Sequence, residues 1–174
     1  NEGITSALGG AVYVCSVGYP GATTEKILAA YLRDADAIAS RLGGDPHSTV
    51  LLAGVNDFIS GRGPDYYANN LVRLAQGLPG RVQVIELPWV QPRDHGFLNQ
   101  VKRTLFSCFY ALCSKSSVET HRASAREAWP TVVDYSSFAA DFVDTDYDDG
   151  VHLTAMKYRE LGSYVGTTLS THPD

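Results

Sequence analysis

Cysteine is scarce in this sequence: Cys15, Cys108 and Cys113 are the only three among 174 residues, and none forms a Cys-x-x-Cys pair. So sparse and odd a set argues against a disulfide framework and has no zinc-site spacing, so buried, reduced thiols are expected. Cations are outnumbered too, with 14 Lys plus Arg against 19 Asp plus Glu, for a net charge of −5 and a pI near 5.5. Phosphate binding needs a surplus of positive charge, so neither direct nucleic-acid binding nor docking on an anionic membrane is expected. No apolar run approaches the ~20 residues that cross a bilayer, so no transmembrane segment is expected. The opening NEGITSALGG lacks a cationic start followed by an apolar core and does not read as a signal peptide. Together with the few cysteines, this favours a cytoplasmic setting. A hydrophobic fraction of 44% against 19% charged is too apolar for disorder, and the length suits one domain over residues 1–174.

What is present is an alternation of short apolar runs with longer helical patterns. Ala11 to Val17 (AVYVCSV) is rich in β-branched residues and bounded by glycines, which predicts a buried strand. Gly18-Tyr19-Pro20-Gly21 forms a turn, with Thr23 or Thr24 placed to cap a helix. From Glu25 to Leu42 apolar residues recur at three- and four-residue steps, and Gly43-Gly44 stops the run. Thr49 to Gly54 predicts a second strand, Asp65 to Leu78 a helix, and Arg81 to Leu87 a third strand. Phe97 to Cys113 is helical in pattern, with a continuation towards Ala128 after a break near Ser114. Thr131 to Ser136 predicts a short fourth strand, and an aspartate-rich loop from Asp141 to Gly150 precedes a last helix from Thr154 to about Leu169. Strands and helices in this order predict a parallel sheet with helices on both faces. Ligand sites in such sheets lie beyond the carboxyl ends of the strands, where the polar and glycine-rich segments of this chain fall.

Three of those segments have the composition of a catalytic site. In Asp149 to Thr154 (DGVHLT), a carboxylate and an imidazole stand three residues apart at the mouth of a helix. Asp149 could accept the Nδ1–H of His152 and leave Nε2 as a general base. The same residues also suit an acidic helix start with a chance histidine. Gly54 to Asp57 (GVND) follows a strand, where the Asn56 amide could donate to an oxyanion, or simply form an Asx turn. In Gly18 to Thr24 (GYPGATT), glycine would let backbone N–H groups approach a ligand, or serve an ordinary strand-to-helix turn. The last segment is no nucleotide loop, lacking both Gly-Lys-Ser/Thr and GxGxxG.

In this order, the three segments resemble conserved blocks of the SGNH (GDSL-like) hydrolases, a superfamily of serine esterases and lipases. The wider context of PGATT, GVND and DGVHLTAMKYRELG looks similar to the esterase-like domains of some retroelement proteins. The resemblance runs over roughly residues 11 to 170. It implies a three-layer α/β/α, flavodoxin-like sandwich with a mostly parallel sheet, and an acyl-enzyme mechanism acting on a small ester or acylated substrate. Gly21 and Asn56 would bind the oxyanion, Asp149 would orient the imidazole, and His152 would be the base. No metal or organic cofactor is implied. The family's nucleophile lies in a Gly-Asp-Ser turn after the first strand, and no such tripeptide occurs here. Ser6 is the one serine ahead of the first predicted strand, and Asn1 to Thr5 is no apolar strand to present it. The nucleophile is therefore expected upstream of Asn1, and the domain to lack its first strand. The alternative is a non-catalytic binding or assembly module of the same fold, as an oligomer or within a larger retroelement or viral polypeptide.

Other candidates are weaker. Asp144 to Gly150 has its glycine at the seventh place of a would-be calcium loop, with Ala155 where glutamate belongs. His47, His95, His121 and His172 lie in polar stretches and are expected at the surface. Trp89, between Pro88 and Pro92, is placed either to wall a pocket or to pack on the next helix.

Overall fold

The computed structural model describes residues 13–88, 117–148 and 152–171, with the single positions 101, 105, 108 and 112. Among these, three strands form one parallel sheet in the order β1 (Ser48–Leu52), β2 (Arg81–Ile85), β3 (Val132–Val133). Ser48 stands opposite Arg81, Leu52 opposite Ile85, and Val84 opposite Val132. Around the sheet lie α1 (Thr24–Leu42), α2 (Val55–Ile59), α3 (Pro64–Gly77), α4 (Val118–Ala128), α5 (Tyr135–Phe138) and α6 (Ala155–Thr171). The chain is thus an α/β protein with a small parallel sheet.

Side-chain alternation along the strands splits the core in two. Leu51, Val82 and Val84 face one cluster with Tyr67, Leu71 and Leu74 of α3 and Ala125 of α4, and Ile27 and Leu28 of α1 pack against it. Ile85 and Val133 face a second cluster with Tyr135, Phe142, Leu153, and Leu161 and Val165 of α6. Tyr67, Leu71, Leu74 and Val84 are wholly buried, each contributing about 1.5–3 kcal/mol by leaving water.

Most helix boundaries follow the expected signals. α1 ends at Gly43, whose φ of +75° is the left-handed conformation expected of a helix stop. α3 opens on Pro64, where the missing N–H is no loss. Ser117 caps α4 by accepting the Thr120 N–H at 3.1 Å, so α4 is a helix in its own right.

Four expectations need correction. Residues 13–17 are not a strand, and Tyr13 and Val17 are 72% and 45% exposed. A β-branched run becomes a strand only where a neighbour supplies the ladder, and among the described residues β1 pairs with β2 alone. The strand expected over 131–136 is only Val132–Val133, because Asp134 caps α5 by accepting the Ser137 N–H. The cysteines are not a buried set: Cys15 is half-buried and Cys108 exposed. His121 is not at the surface but wholly buried, held between carbonyl groups and aromatic rings. Cys113, Trp89, His95 and His172 lie outside the described residues.

Candidate functional site

The turn before α1 and the short helix after β1 meet at the carboxyl end of β1. Chain reversal at Tyr19–Ala22 is closed by the Ala22 N–H donating to the Tyr19 carbonyl at 3.2 Å. Gly21 takes φ +70° there and is exposed. β1 hands over to α2 through Gly54, at φ +114°, where an added Cβ would stand 2.5 Å from the Tyr67 ring. A side chain larger than hydrogen would have no room at this position. Asn56, half-buried in α2, donates from Nδ2 to the Ala22 carbonyl at 3.1 Å. The structure therefore brings Asn56 to the residue next to Gly21, across 34 positions of sequence. An amide NH2 carries two protons, so one such bond leaves Asn56 a second donor.

Asp57, the next residue, is wholly buried. Its carboxylate accepts the Thr24 N–H at 2.8 Å and the Thr24 hydroxyl at 2.7 Å. This bond pair secures the first turn of α1 to α2 and takes up an amide that a helix start leaves without an intrahelical partner. Burial raises the Asp57 pKa above its ordinary value, against the pull of the two Thr24 donors and of the His121 charge. Burial likewise pushes the nearby Tyr67 phenol upward, with the Asp57 and Glu86 charges adding to it.

His152 lies exposed in the turn before α6. Its backbone carbonyl accepts the Asp148 N–H at 2.9 Å, and Tyr147 bridges to Leu153 in antiparallel fashion. Leu153 belongs to the cluster containing Ile85 and Val133, the last residues of β2 and β3, which roots the turn in the core. Asp149 lies outside the described residues, so the expected Asp149–His152 pair is not placed. Gly21 and Asn56 are the two predicted site residues brought together.

A shallow cleft of about 450 Å³ borders the same turn, lined by Gly18, Tyr19, Pro20, Ala22, Lys26 and Arg33 among others. Asn56 and His152 are not part of its lining. Among the described residues no group of three or more His, Cys, Asp or Glu could hold a metal ion. Asp146 in the acidic loop instead accepts the Val143 N–H at 2.8 Å and lies 3.7 Å from Lys157. No described helix is long and apolar enough to cross a membrane.

Sequence reasoning did not single out a second buried carboxylate. Glu86, just past β2, accepts the N–H and hydroxyl of Ser136 at 3.2 and 2.9 Å. Arg126 pairs with its other oxygen by charge, away from hydrogen-bond alignment. Arg122 sits 3.9 Å away and donates twice to the Leu87 carbonyl, at 3.2 and 3.0 Å. A glutamate inside an apolar run, RVQVIEL, was the available signal, since a buried charge needs partners.

Comparison with family models, curated proteins and solved structures returns no match.

Proposed function

We propose that this chain is an SGNH-type domain of a serine carboxylic-ester hydrolase, with the three-layer α/β/α, flavodoxin-like architecture of that superfamily. The observation that carries the reading is the Asn56 amide bonded to the Ala22 carbonyl beside Gly21, at the carboxyl end of a parallel strand. A backbone N–H from Gly21 and the second Asn56 proton would then hold the oxyanion of a tetrahedral intermediate. His152 would accept the serine proton and pass it to the leaving alcohol, with Asp149 fixing its tautomer. The serine is one that these residues do not present in a Gly-Asp-Ser turn. β1 pairs on one side only among the described residues, which leaves its other edge open to a further strand.

The test is the chain joined to the segment that precedes it in its native reading frame. A fluorophosphonate probe should label that protein, short aryl esters should be turned over, and His152→Ala should abolish the labelling. A folded protein carrying Gly-Asp-Ser that ignores both probe and esters would overturn the hydrolase reading. It would favour the binding or assembly module, which the exposure of Val101, Leu105 and Leu112 (43%, 66% and 79%) also suits.

A further inference from the structure

His121 is wholly buried, and both of its ring nitrogens meet backbone carbonyls. Nδ1 lies 3.0 Å from the Ser117 carbonyl at the start of α4, and Nε2 lies 2.9 Å from the Arg62 carbonyl in the loop after α2. A carbonyl oxygen only accepts, so each bond needs a proton on the ring. A neutral imidazole has one, and would set the lone pair of its other nitrogen against an oxygen at hydrogen-bond distance. Only the ring protonated at both nitrogens satisfies both contacts.

We infer that His121 is a positioning residue, a double donor that clamps the loop after α2 to α4 and so holds the segment carrying Asn56 and Asp57. The connection is continuous. Arg62, whose carbonyl His121 holds, donates its own N–H to the Asp57 carbonyl at 3.0 Å. Asp57 in turn binds Thr24 twice, and Asn56 binds the Ala22 carbonyl. Asp57 of α2 interacts with the charge of the ring. The Phe58 ring stands nearly perpendicular to it with centroids 5.2 Å apart, and the Tyr67 ring of α3 lies at 5.8 Å. On α4, Arg122 is already bound to Glu119 at 2.6 Å and to the Leu87 carbonyl, while Glu86 is bound by Ser136 and Arg126. The Arg62 guanidinium is turned away over the Tyr66 ring, 4.9 Å from its centroid. The clamp stands apart from the esterase reading, and only its effect on an oxyanion rests on it.

Nitrogen-15 spectra of the ring in the intact chain test the clamp directly. Both nitrogens should report attached protons at mildly acidic pH. A ring with one protonated nitrogen under those conditions would overturn the inference. Hydrogen exchange, corrected for its intrinsic pH dependence, gives the second readout. In His121→Gln the Thr24 and Arg62 amides should exchange roughly tenfold faster or more, the scale of one charge-assisted hydrogen bond. The Val84 amide at the centre of the sheet should keep its protection. Unchanged protection at Thr24 and Arg62 would overturn the clamp. None of these readouts depends on ester turnover.

Discussion

Asp57 and Thr24 are locked together twice, N–H to Oδ2 at 2.8 Å and hydroxyl to Oδ1 at 2.7 Å, with both residues buried. Replacing Asp57 with alanine would leave a buried amide and a hydroxyl without their acceptor. That should destabilise the chain by about 1–3 kcal/mol in urea unfolding. Asp57→Asn should cost less, because the amide oxygen can still take the Thr24 N–H while its NH2 donates to the hydroxyl.

The pH dependence of the same site has a definite sign. Burial raises the folded-state pKa of Asp57 above the ordinary 3.8, so the folded chain binds this proton more tightly than the unfolded chain does. The associated stability is fully present below the unfolded value and is lost as pH rises through the folded one. The unaltered chain should therefore lose stability relative to Asp57→Asn as pH climbs through that interval. Urea midpoints for the two proteins at a series of pH values check this, and a flat or opposite trend would contradict it.

Two glycines with positive φ separate strain from crowding. At Gly43 an added methyl group meets nothing within 4 Å, so Gly43→Ala should cost about 1–2 kcal/mol, for the left-handed backbone alone. At Gly54 the methyl group would stand 2.5 Å from Tyr67 Cε2, and that ring is wholly buried. Gly54→Ala should cost roughly 2–5 kcal/mol, from backbone strain and overpacking together. Equal losses at the two sites would show that Tyr67 can yield.

The same contrast between local and distant causes explains what could be read from the sequence. α1 was legible because its apolar spacing and Gly43 are local signals, although Thr23 makes no side-chain cap bond and Thr24 binds Asp57 instead. Arg81–Ile85 was legible because Val82, Val84 and Ile85 are β-branched. Ala11 to Val17 carried an equally good local signal, yet residues 13–17 are not a strand, since a strand forms only in register with another and composition does not show that register. His121 was misread for a related reason. It sits in VETHRASAREA, a polar helix whose buried face is His121, Arg122 and Ala125. Only the rings of Phe58 and Tyr67, distant in sequence, show that this face points inward. At the candidate site, the GVND motif drew attention to Asn56, while the fully buried partner of Thr24 is the aspartate beside it.

Glu86 and its two arginines should respond unequally to truncation. Arg122 is 4% exposed and holds the Leu87 carbonyl as well as facing Glu86, so Arg122→Met strips a buried carbonyl of its donor and Glu86 of one of its two cations. A loss of about 3–5 kcal/mol is expected. The Arg126 side chain is 47% exposed, so solvent can partly take its place beside the wholly buried Glu86, and Arg126→Ala should cost less, about 1–3 kcal/mol. Thermal or urea unfolding of the two variants decides the order, and a larger effect at Arg126 would mean that it carries the Glu86 charge.

Asn56 separates the structural from the chemical role of the site. Its bond to the Ala22 carbonyl is a single, neutral, half-buried hydrogen bond, so Asn56→Ala should lower stability by only about 1 kcal/mol. If the second amide proton meets an oxyanion, the same change in the serine-bearing protein should remove roughly 3–4 kcal/mol of transition-state stabilisation. That is a fall of several-hundredfold in kcat with little change in KM, because the ground-state carbonyl makes no full use of the donor. The 174-residue chain alone should hydrolyse short aryl esters barely above background, and there Asn56→Ala should change little. Equal, small losses of stability and kcat in the serine-bearing protein would reduce Asn56 to a loop tie. Strong probe labelling of the 174-residue chain would instead show that it holds its own nucleophile, and Ser6→Ala would be the first variant to make.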